Sequence, residues 1–153
     1  MLSQALVKRG HSVRGTTRDP GRRSEIEGTG AECVLADPDR LGTLVPALAH
    51  VSVLVVLLGS AQGPPARLAE LHGPRLEMLL HRVTDSPVHA VVYEARGSVD
   101  SELLAAGAQS VRDFGARNLT PTGLLEADPA RPSDWLQAAV ATVEGVLEAG
   151  AGH

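Results

Sequence analysis

Two hydrophobic periods alternate along the chain. Leu2, Ala5 and Leu6 are spaced as on one face of a helix, and Gly10 follows where a helix commonly ends. The same period predicts helices at residues 21–27, 40–49, 66–71, 74–83, 100–118 and 134–148, the last capped by Ser133. Short apolar or β-branched runs predict strands at residues 12–17, 32–36, 51–58, 88–93 and 122–127. The tail at residues 149–153 is predicted to fray.

The run at residues 51–58 is the clearest strand. It is apolar apart from Ser52 and rich in valine, and loop residues bound it, as in a parallel strand covered on both faces. Residues 88–93 predict a second buried strand. Because strands and helices alternate, we expect an α/β fold with an open, doubly wound, mostly parallel sheet and helices on both faces. No linker or repeat interrupts the pattern, so we expect a single domain over residues 1–153.

The composition argues against several kinds of partner and site. A net charge of −4 and an aromatic content of 2% argue against a nucleic-acid partner, which would require a basic face or stacking side chains. No apolar run is long enough to span a bilayer and no leader is recognisable, so we expect no membrane partner and a cytoplasmic location. Cys33 is the only cysteine, and the histidines lack metal-ligand spacing, so neither a disulfide nor a metal site is predicted.

Candidate chemistry lies in the turn that follows the strand at residues 12–17. In dinucleotide-binding α/β units, a side chain at this position meets the adenosine ribose: an acid binds the 2′-hydroxyl, and an arginine accommodates a 2′-phosphate. Here Thr17 and Arg18 come first, and the first acid, Asp19, lies beyond them. The order favours NADP over NAD as the cofactor. In the alternative interpretation, Arg18 is a solvated turn arginine that pairs with Asp19.

Four segments together resemble a known group of proteins. Residues 5–14, 18–20, 36–37 and 57–61 resemble the atypical and extended short-chain dehydrogenase/reductases, including nucleoside-diphosphate-sugar epimerase-like and NmrA-like NAD(P)-binding proteins. The resemblance implies a Rossmann-like fold with a dinucleotide bound at the carboxyl ends of the strands. The cofactor-binding residues that it implies are Thr17, Arg18, Asp37, Gly59, Ser60 and Ala61.

Each of these residues has an implied role. Thr17 and Arg18 match the position that meets the 2′-phosphate and the adenine, and Asp37 matches the aspartate that accepts from the adenine amino group. Residues 59–61 match the loop beneath the ribose and nicotinamide. Two alternatives stay open: Asp37 as a helix cap, and residues 59–63 as a phosphate-binding nest in their own right.

The chain also departs from the resemblance at its start. Members of the group open with a strand and a glycine-rich turn that holds the pyrophosphate. By that pattern the third glycine would lie about two residues before Met1, so we expect an N-terminally truncated unit without its first strand. The missing strand would leave two sheet edges unpaired, which would favour self-association into a homo-oligomer. Either the natural start lies upstream, or the sheet closes the gap differently.

A second departure concerns catalysis. The reductases that the chain resembles use a tyrosine with a lysine four residues later, but Gly97 stands at that spacing from Tyr93, the only tyrosine. Tyr93 is therefore a weak catalytic candidate; a tyrosine at the end of a buried strand usually packs its ring and leaves its hydroxyl in water. The main prediction is an NADP-binding epimerase/reductase-like protein, an oxidoreductase on a carbonyl or sugar-like substrate if it turns over. The alternatives are a non-catalytic dinucleotide sensor or scaffold, or a fragment that no longer binds cofactor.

Overall fold

The computed structural model describes residues 1–151, in which helices and strands alternate. The helices are α1 Leu2–Lys8, α2 Arg23–Glu27, α3 Leu41–Leu44, α4 Pro65–His72, α5 Pro74–Val83, α6 Ser101–Asn118 and α7 Pro132–Ala151. The strands are β1 Arg14–Thr17, β2 Glu32–Leu35, β3 Val53–Val56, β4 Ala90–Glu94 and β5 Thr122–Leu125. Short 3-10 helices at Pro20–Arg22 and Val45–Leu48 precede α2 and follow α3. The predicted α/β alternation is confirmed.

The strands form two parallel sheets. β1 pairs with β2, with Arg14 opposite Glu32. β4 lies between β3 and β5 and pairs with both in parallel. Within residues 1–151, β1 and β3 do not pair, so the predicted open sheet is divided between them. The missing first strand of the group that the chain resembles would lie between these two strands, β1 and β3.

Strand β4 is the centre of the core, and its two faces belong to two apolar layers. Val91 and Tyr93 point into one layer with residues of α5 and α6. Ala90 and Val92 point into the other, with residues of α1 and α7. All five residues of β4 are buried, as expected of a strand with a neighbour on each side and helices on both faces. The sheet of β3, β4 and β5 is therefore covered on both faces, as predicted.

The basic turn after α1 joins that helix to α7. Gly10 has a φ of +92°, and the amide of His11 donates to Leu6 O at 3.0 Å, which is the usual way to end a helix with glycine. Arg9 Nη2 then donates to a carboxylate oxygen of Glu144 at 2.6 Å, and His11 Nε2 lies 3.0 Å from the other. These two hydrogen bonds, that of Arg9 first, lower the pKa of Glu144 to about 2.

Two predicted elements are shorter than the hydrophobic pattern suggested. The helix predicted at residues 40–49 is α-helical only over Leu41–Leu44 and then narrows to a 3-10 turn, because Pro46 has no N–H to donate. The strand predicted at residues 51–58 is reduced to Val53–Val56, and only Val56 is fully buried. Both faces of β3 pack against apolar layers as predicted, but β3 is the edge strand of its sheet, so most of its residues stay partly exposed.

The last helix begins earlier than predicted. α7 starts at Pro132, a favoured first residue, so Ser133 lies inside the first turn and the predicted cap at Ser133 is wrong. The helix also runs to Ala151, where the chain was predicted to fray from residue 149; residues 152–153 lie outside the described part. No helix in residues 1–151 is long and apolar enough to cross a membrane.

Candidate functional site

Arg67 of α4 bridges segments that follow the carboxyl ends of strands in the two sheets. Its Nε donates to Asp39 Oδ2 at 2.9 Å, and its Nη1 donates to Gln62 O at 2.6 Å. Asp39 follows β2 and Gln62 follows β3, so one guanidinium connects a segment of each sheet. We call residues 17–19, 37–39 and 59–62 the strand-end region. It lies where ligands bind in open α/β folds.

Arg18 extends from the end of β1 towards the same aspartate. Its side chain is 57% exposed, and its Nη1 lies 3.9 Å from Asp39 Oδ2. Asp19 is occupied elsewhere, because its Oδ1 accepts from the Gly21 amide at 2.9 Å. The Thr17 hydroxyl accepts from the Asp19 amide at 3.1 Å. The ion partner of Arg18 is therefore Asp39 rather than Asp19, and the guanidinium stays largely in water.

Asp37 shapes the turn that carries Asp39. Its Oδ1 accepts from the Asp39 amide at 2.9 Å, and its own amide donates to Thr43 Oγ1 at 2.8 Å. This is the local hydrogen bonding expected of an aspartate in a turn. Asp37 thus orders the loop in front of α3, whose N-cap is Arg40, not Asp37. The alternative of Asp37 as a helix cap is not what the contacts show.

A buried carboxylate holds the loop after β3. Glu94, the last residue of β4, is 5% exposed. Its Oε1 accepts from the Gly59 amide at 2.9 Å, and its Oε2 accepts from Trp135 Nε1 at 3.0 Å. Two donors on one carboxylate offset the cost of burying its charge. Glu94 therefore fixes Gly59 relative to both β4 and α7.

The predicted loop residues Gly59, Ser60 and Ala61 pack against the turn after β4. A Cβ at Gly59 would lie 2.6 Å from Arg96 O, so this close approach admits only glycine. Ser60 Oγ accepts from the Ser98 amide at 3.3 Å, and the Ala61 amide donates to Leu58 O at 3.2 Å. The loop is therefore held by the Glu94 carboxylate, by the turn after β4 and by a hydrogen bond within its own backbone.

Tyr93 forms a buried pair with His72 beside this loop. Tyr93 has no exposed surface, and its hydroxyl oxygen lies 2.6 Å from His72 Nδ1. His72 Nε2 lies 2.9 Å from Leu58 O, which can only accept, so Nε2 carries the proton and the tyrosine donates to Nδ1. Burial first, and the charge of Glu94 second, raise the pKa of Tyr93 to about 12, while burial lowers the pKa of His72. The expectation that this hydroxyl is in water is wrong, because His72 covers it.

The sequence pattern did not single out Asp39, Arg67, Glu94 or His72. Asp39 stands near the predicted site in an Asp-Pro-Asp turn, which was a usable signal. Arg67 lies on a predicted helix to which no site was assigned, and His72 and Glu94 each lie one residue beyond the predicted bounds of their elements. Their partners are distant in sequence, 28 residues away for Arg67 and 35 for Glu94 with Gly59.

A separate cleft lies at the opposite end of the second sheet. It has a volume of about 460 Å³ and is lined by residues that precede β4 and β5, among them His89 and Pro121, and by residues of α6, among them Phe114 and Asn118. None of the predicted cofactor residues lines it. The strand-end region is instead an open surface of charged and loop residues.

The chain was compared with known proteins. It matches no protein-family model and no curated protein sequence. Among solved structures it resembles the Citrobacter sp. triphenylmethane reductase complexed with NADP(H), with 17% identity and a TM-score of 0.61. The fold is Rossmann-like. The similarity covers 82% of this chain but 44% of that reductase, so the chain spans less than half of its length.

Two further structures support the same fold. An NADPH-dependent quinone oxidoreductase from E. coli (QOR2) is 16% identical with a TM-score of 0.56, over 82% of this chain and 42% of that one. BdcA from E. coli is 17% identical with a TM-score of 0.65, over 91% of this chain and 80% of that one. At these identities the similarity shows the fold alone. The cofactors named belong to those proteins.

Proposed function

We propose that this chain binds a nicotinamide dinucleotide at the strand-end region and prefers NADP over NAD. The observation that carries the proposal is the exposed guanidinium of Arg18 at the end of β1, within 3.9 Å of a carboxylate that a second arginine also contacts. Arginine is the side chain best suited to a phosphate monoester. Two structural neighbours described with NADP(H) or NADPH support the choice of cofactor.

The remaining residues fit around the same ligand. Thr17 would contact the ribose phosphate beside Arg18, Asp37 would accept from the adenine amino group, and residues 59–61 would lie beneath the ribose and nicotinamide. The rigid attachment of Gly59 to Glu94 supports this role, because a fixed loop loses little freedom on binding. Single-domain organisation, a cytoplasmic location and self-association stay predictions.

We propose oxidoreductase activity of the epimerase/reductase-like group as the use of that cofactor. When bound, the nicotinamide would supply or accept a hydride, and the protein would contribute orientation and electrostatics. The substrate would be a carbonyl or sugar-like compound above residues 59–62. Tyr93 stays the weak catalytic candidate, although its hydroxyl is buried behind His72.

A non-catalytic dinucleotide-binding protein is the second candidate. It is favoured by the buried, proton-donating state of the Tyr93 hydroxyl and by Gly97 at the spacing of the usual lysine. An assay with NADPH and a panel of aldehydes and ketones distinguishes the enzyme from the non-catalytic protein, with the absorbance of the reduced nicotinamide as the readout. Oxidation of NADPH above background indicates turnover. Binding of NADPH without oxidation indicates a non-catalytic dinucleotide-binding protein.

The binding proposal is tested by titrating NADP(H) and NAD(H) into the wild type and the Arg18→Glu variant. We expect a stronger response to NADP in the wild type, and a loss of at least about tenfold for NADP but less than about threefold for NAD in the variant, because only NADP carries the extra phosphate. The control is Arg22→Glu, which reverses a charge near the same turn. Arg22 pairs with Glu25, so its replacement should not change the preference for NADP. Equal losses for both cofactors, or none, would remove Arg18 from the site.

A further inference from the structure

Arg18, Asp39 and Arg67 form a small charged cluster in the strand-end region. Both guanidiniums approach the same oxygen, Asp39 Oδ2: Arg67 Nε at 2.9 Å and Arg18 Nη1 at 3.9 Å. The side chains of Arg67 and Asp39 are 25% and 28% exposed, against 57% for Arg18. One arginine thus holds the carboxylate closely, and the other reaches it from the solvent side.

The backbone around this cluster is fixed independently of the carboxylate. Arg75 of α5 donates through Nη1 to the carbonyl of Asp39, and Asp37 Oδ1 accepts from the Asp39 amide. Arg67 has a second anchor in Gln62 O. The position of Asp39 is therefore set by its main chain, and its carboxylate can exchange partners without unfolding the loop.

A single anionic oxygen between two guanidiniums resembles a phosphate oxygen in an arginine cluster. In the ligand-free protein the carboxylate supplies that oxygen. The three side chains carry a net charge of +1, so an arriving phosphate monoester is attracted by the arginines and repelled by Asp39.

We propose that Arg18 and Arg67 together form a phosphate-monoester site in which the Asp39 carboxylate is an internal competitor. The inference rests on the proposed function in that the ligand is the 2′-phosphate of NADP. The phosphate displaces Asp39 Oδ2 from Arg18 and shares Arg67 with it. A ligand without that phosphate leaves the pair in place, so Asp39 sets how strongly the site discriminates NADP from NAD.

The test uses two small isomers, adenosine 2′-monophosphate and adenosine 5′-monophosphate, which differ only in the position of the phosphate. The variant is Asp39→Asn, which keeps an oxygen acceptor for Arg67 Nε and removes the charge. We expect binding of the 2′-isomer, measured by NMR titration, to tighten about tenfold, as expected when one negative charge is removed beside a phosphate dianion in a hydrated site. Binding of the 5′-isomer should change by less than about threefold.

Two matched controls separate this effect from net charge. Glu25→Gln removes one negative charge from the exposed ion pair between Arg22, before α2, and Glu25 of α2, and should leave the 2′-isomer affinity unchanged. Arg67→Gln should weaken the 2′-isomer at least about fivefold, whereas Arg22→Gln should not. Circular dichroism identifies any variant that fails to fold, and the Asp39→Asn measurement stands without Arg67→Gln.

The outcomes distinguish this inference from the proposed function. If full dinucleotides do not bind but the 2′-isomer does, and Asp39→Asn tightens it, the proposed function fails and the phosphate site stands. If NADP binds through Arg18 but Asp39→Asn leaves the 2′-isomer affinity unchanged or weaker, the internal competitor is refuted. Equal tightening of both isomers, or no binding of the 2′-isomer to any variant, also overturns the inference.

Discussion

The contact between α6 and β4 gives a sharp prediction about stability, because Gly107 faces the ring of Tyr93. A Cβ at residue 107 would lie 2.7 Å from Tyr93 Cζ, closer still to its hydroxyl oxygen, and 3.3 Å from Leu76 Cδ2. Neither neighbour can retreat easily: Tyr93 and Leu76 are buried, and the tyrosine hydroxyl is bound to His72 at 2.6 Å. Gly107→Ala should therefore force the ring or the helix to move.

The size of the effect follows from three contributions. Overpacking in a well-filled core costs about 1–3 kcal/mol. Distorting the Tyr93–His72 hydrogen bond adds about 1 kcal/mol. Alanine in a helix interior regains about 1 kcal/mol of propensity over glycine. The net loss is about 2 kcal/mol, and for a chain of this length a Tm lower by roughly 4–8 °C.

Gly145 in α7 provides the matched control, because a Cβ there would meet no atom within 4 Å. Gly145→Ala should raise the free energy of unfolding by about 0.5–1 kcal/mol through propensity alone. Urea denaturation followed by circular dichroism measures both variants against the wild type. If Gly107→Ala were as stabilising as Gly145→Ala, α6 would not approach Tyr93 as described, and the geometry of the Tyr93–His72 pair would be refuted with it.

Two further predictions concern the buried polar groups near the strand-end region. Glu94→Gln should lower the free energy of unfolding by about 2 kcal/mol, because the new NH2 group must face either the Gly59 N–H or the Trp135 Nε1–H. Trp135→Phe removes one of these donors, so the double variant should lose less stability than the sum of the losses of the two single variants. Strict additivity in urea denaturation would contradict this. The lowered pKa of His72 means that the unfolded chain binds its proton first, so the contribution of His72 to stability is fully present above pH 6.5 and decreases as the pH falls through the lowered folded-state pKa. His72→Gln should flatten that part of the curve between pH 8 and 5, and parallel curves for the two proteins would show that His72 is not buried as a neutral group.

Much of the fold could be predicted because local pattern and tertiary role agree there. The apolar run that contains β4 is buried on both faces, and the helical period that ends before Gly10 predicts α1 closely. The failures are also physical. The segment at residues 40–49 has a helical apolar period, but Pro46 removes a backbone donor, and periodicity does not register that loss. The run around β3 is as apolar as a central strand, and its exposure depends on which strands lie beside it.

The site was harder to predict than the fold. Arg18 could be selected because its place at a strand end is a local property of the sequence. Arg67 and Glu94 act through partners that only the folded chain brings near, so residue type and spacing carried little information about them. Tyr93 illustrates the same point, since its hydroxyl is covered by a histidine from α4 rather than by water.

The proposed function requires the guanidinium of Arg18 to receive the extra phosphate of NADP. Phosphorus-31 NMR of NADP observes that phosphate separately from the pyrophosphate. We expect that, on addition of the protein, the 2′-phosphate signal shifts and its titration midpoint moves to lower pH, because nearby guanidiniums favour the dianion. Arg18→Glu should abolish both changes. If the 2′-phosphate signal keeps its free position and midpoint while the pyrophosphate signals broaden, NADP binds without a contact between Arg18 and the 2′-phosphate, and the proposal is wrong.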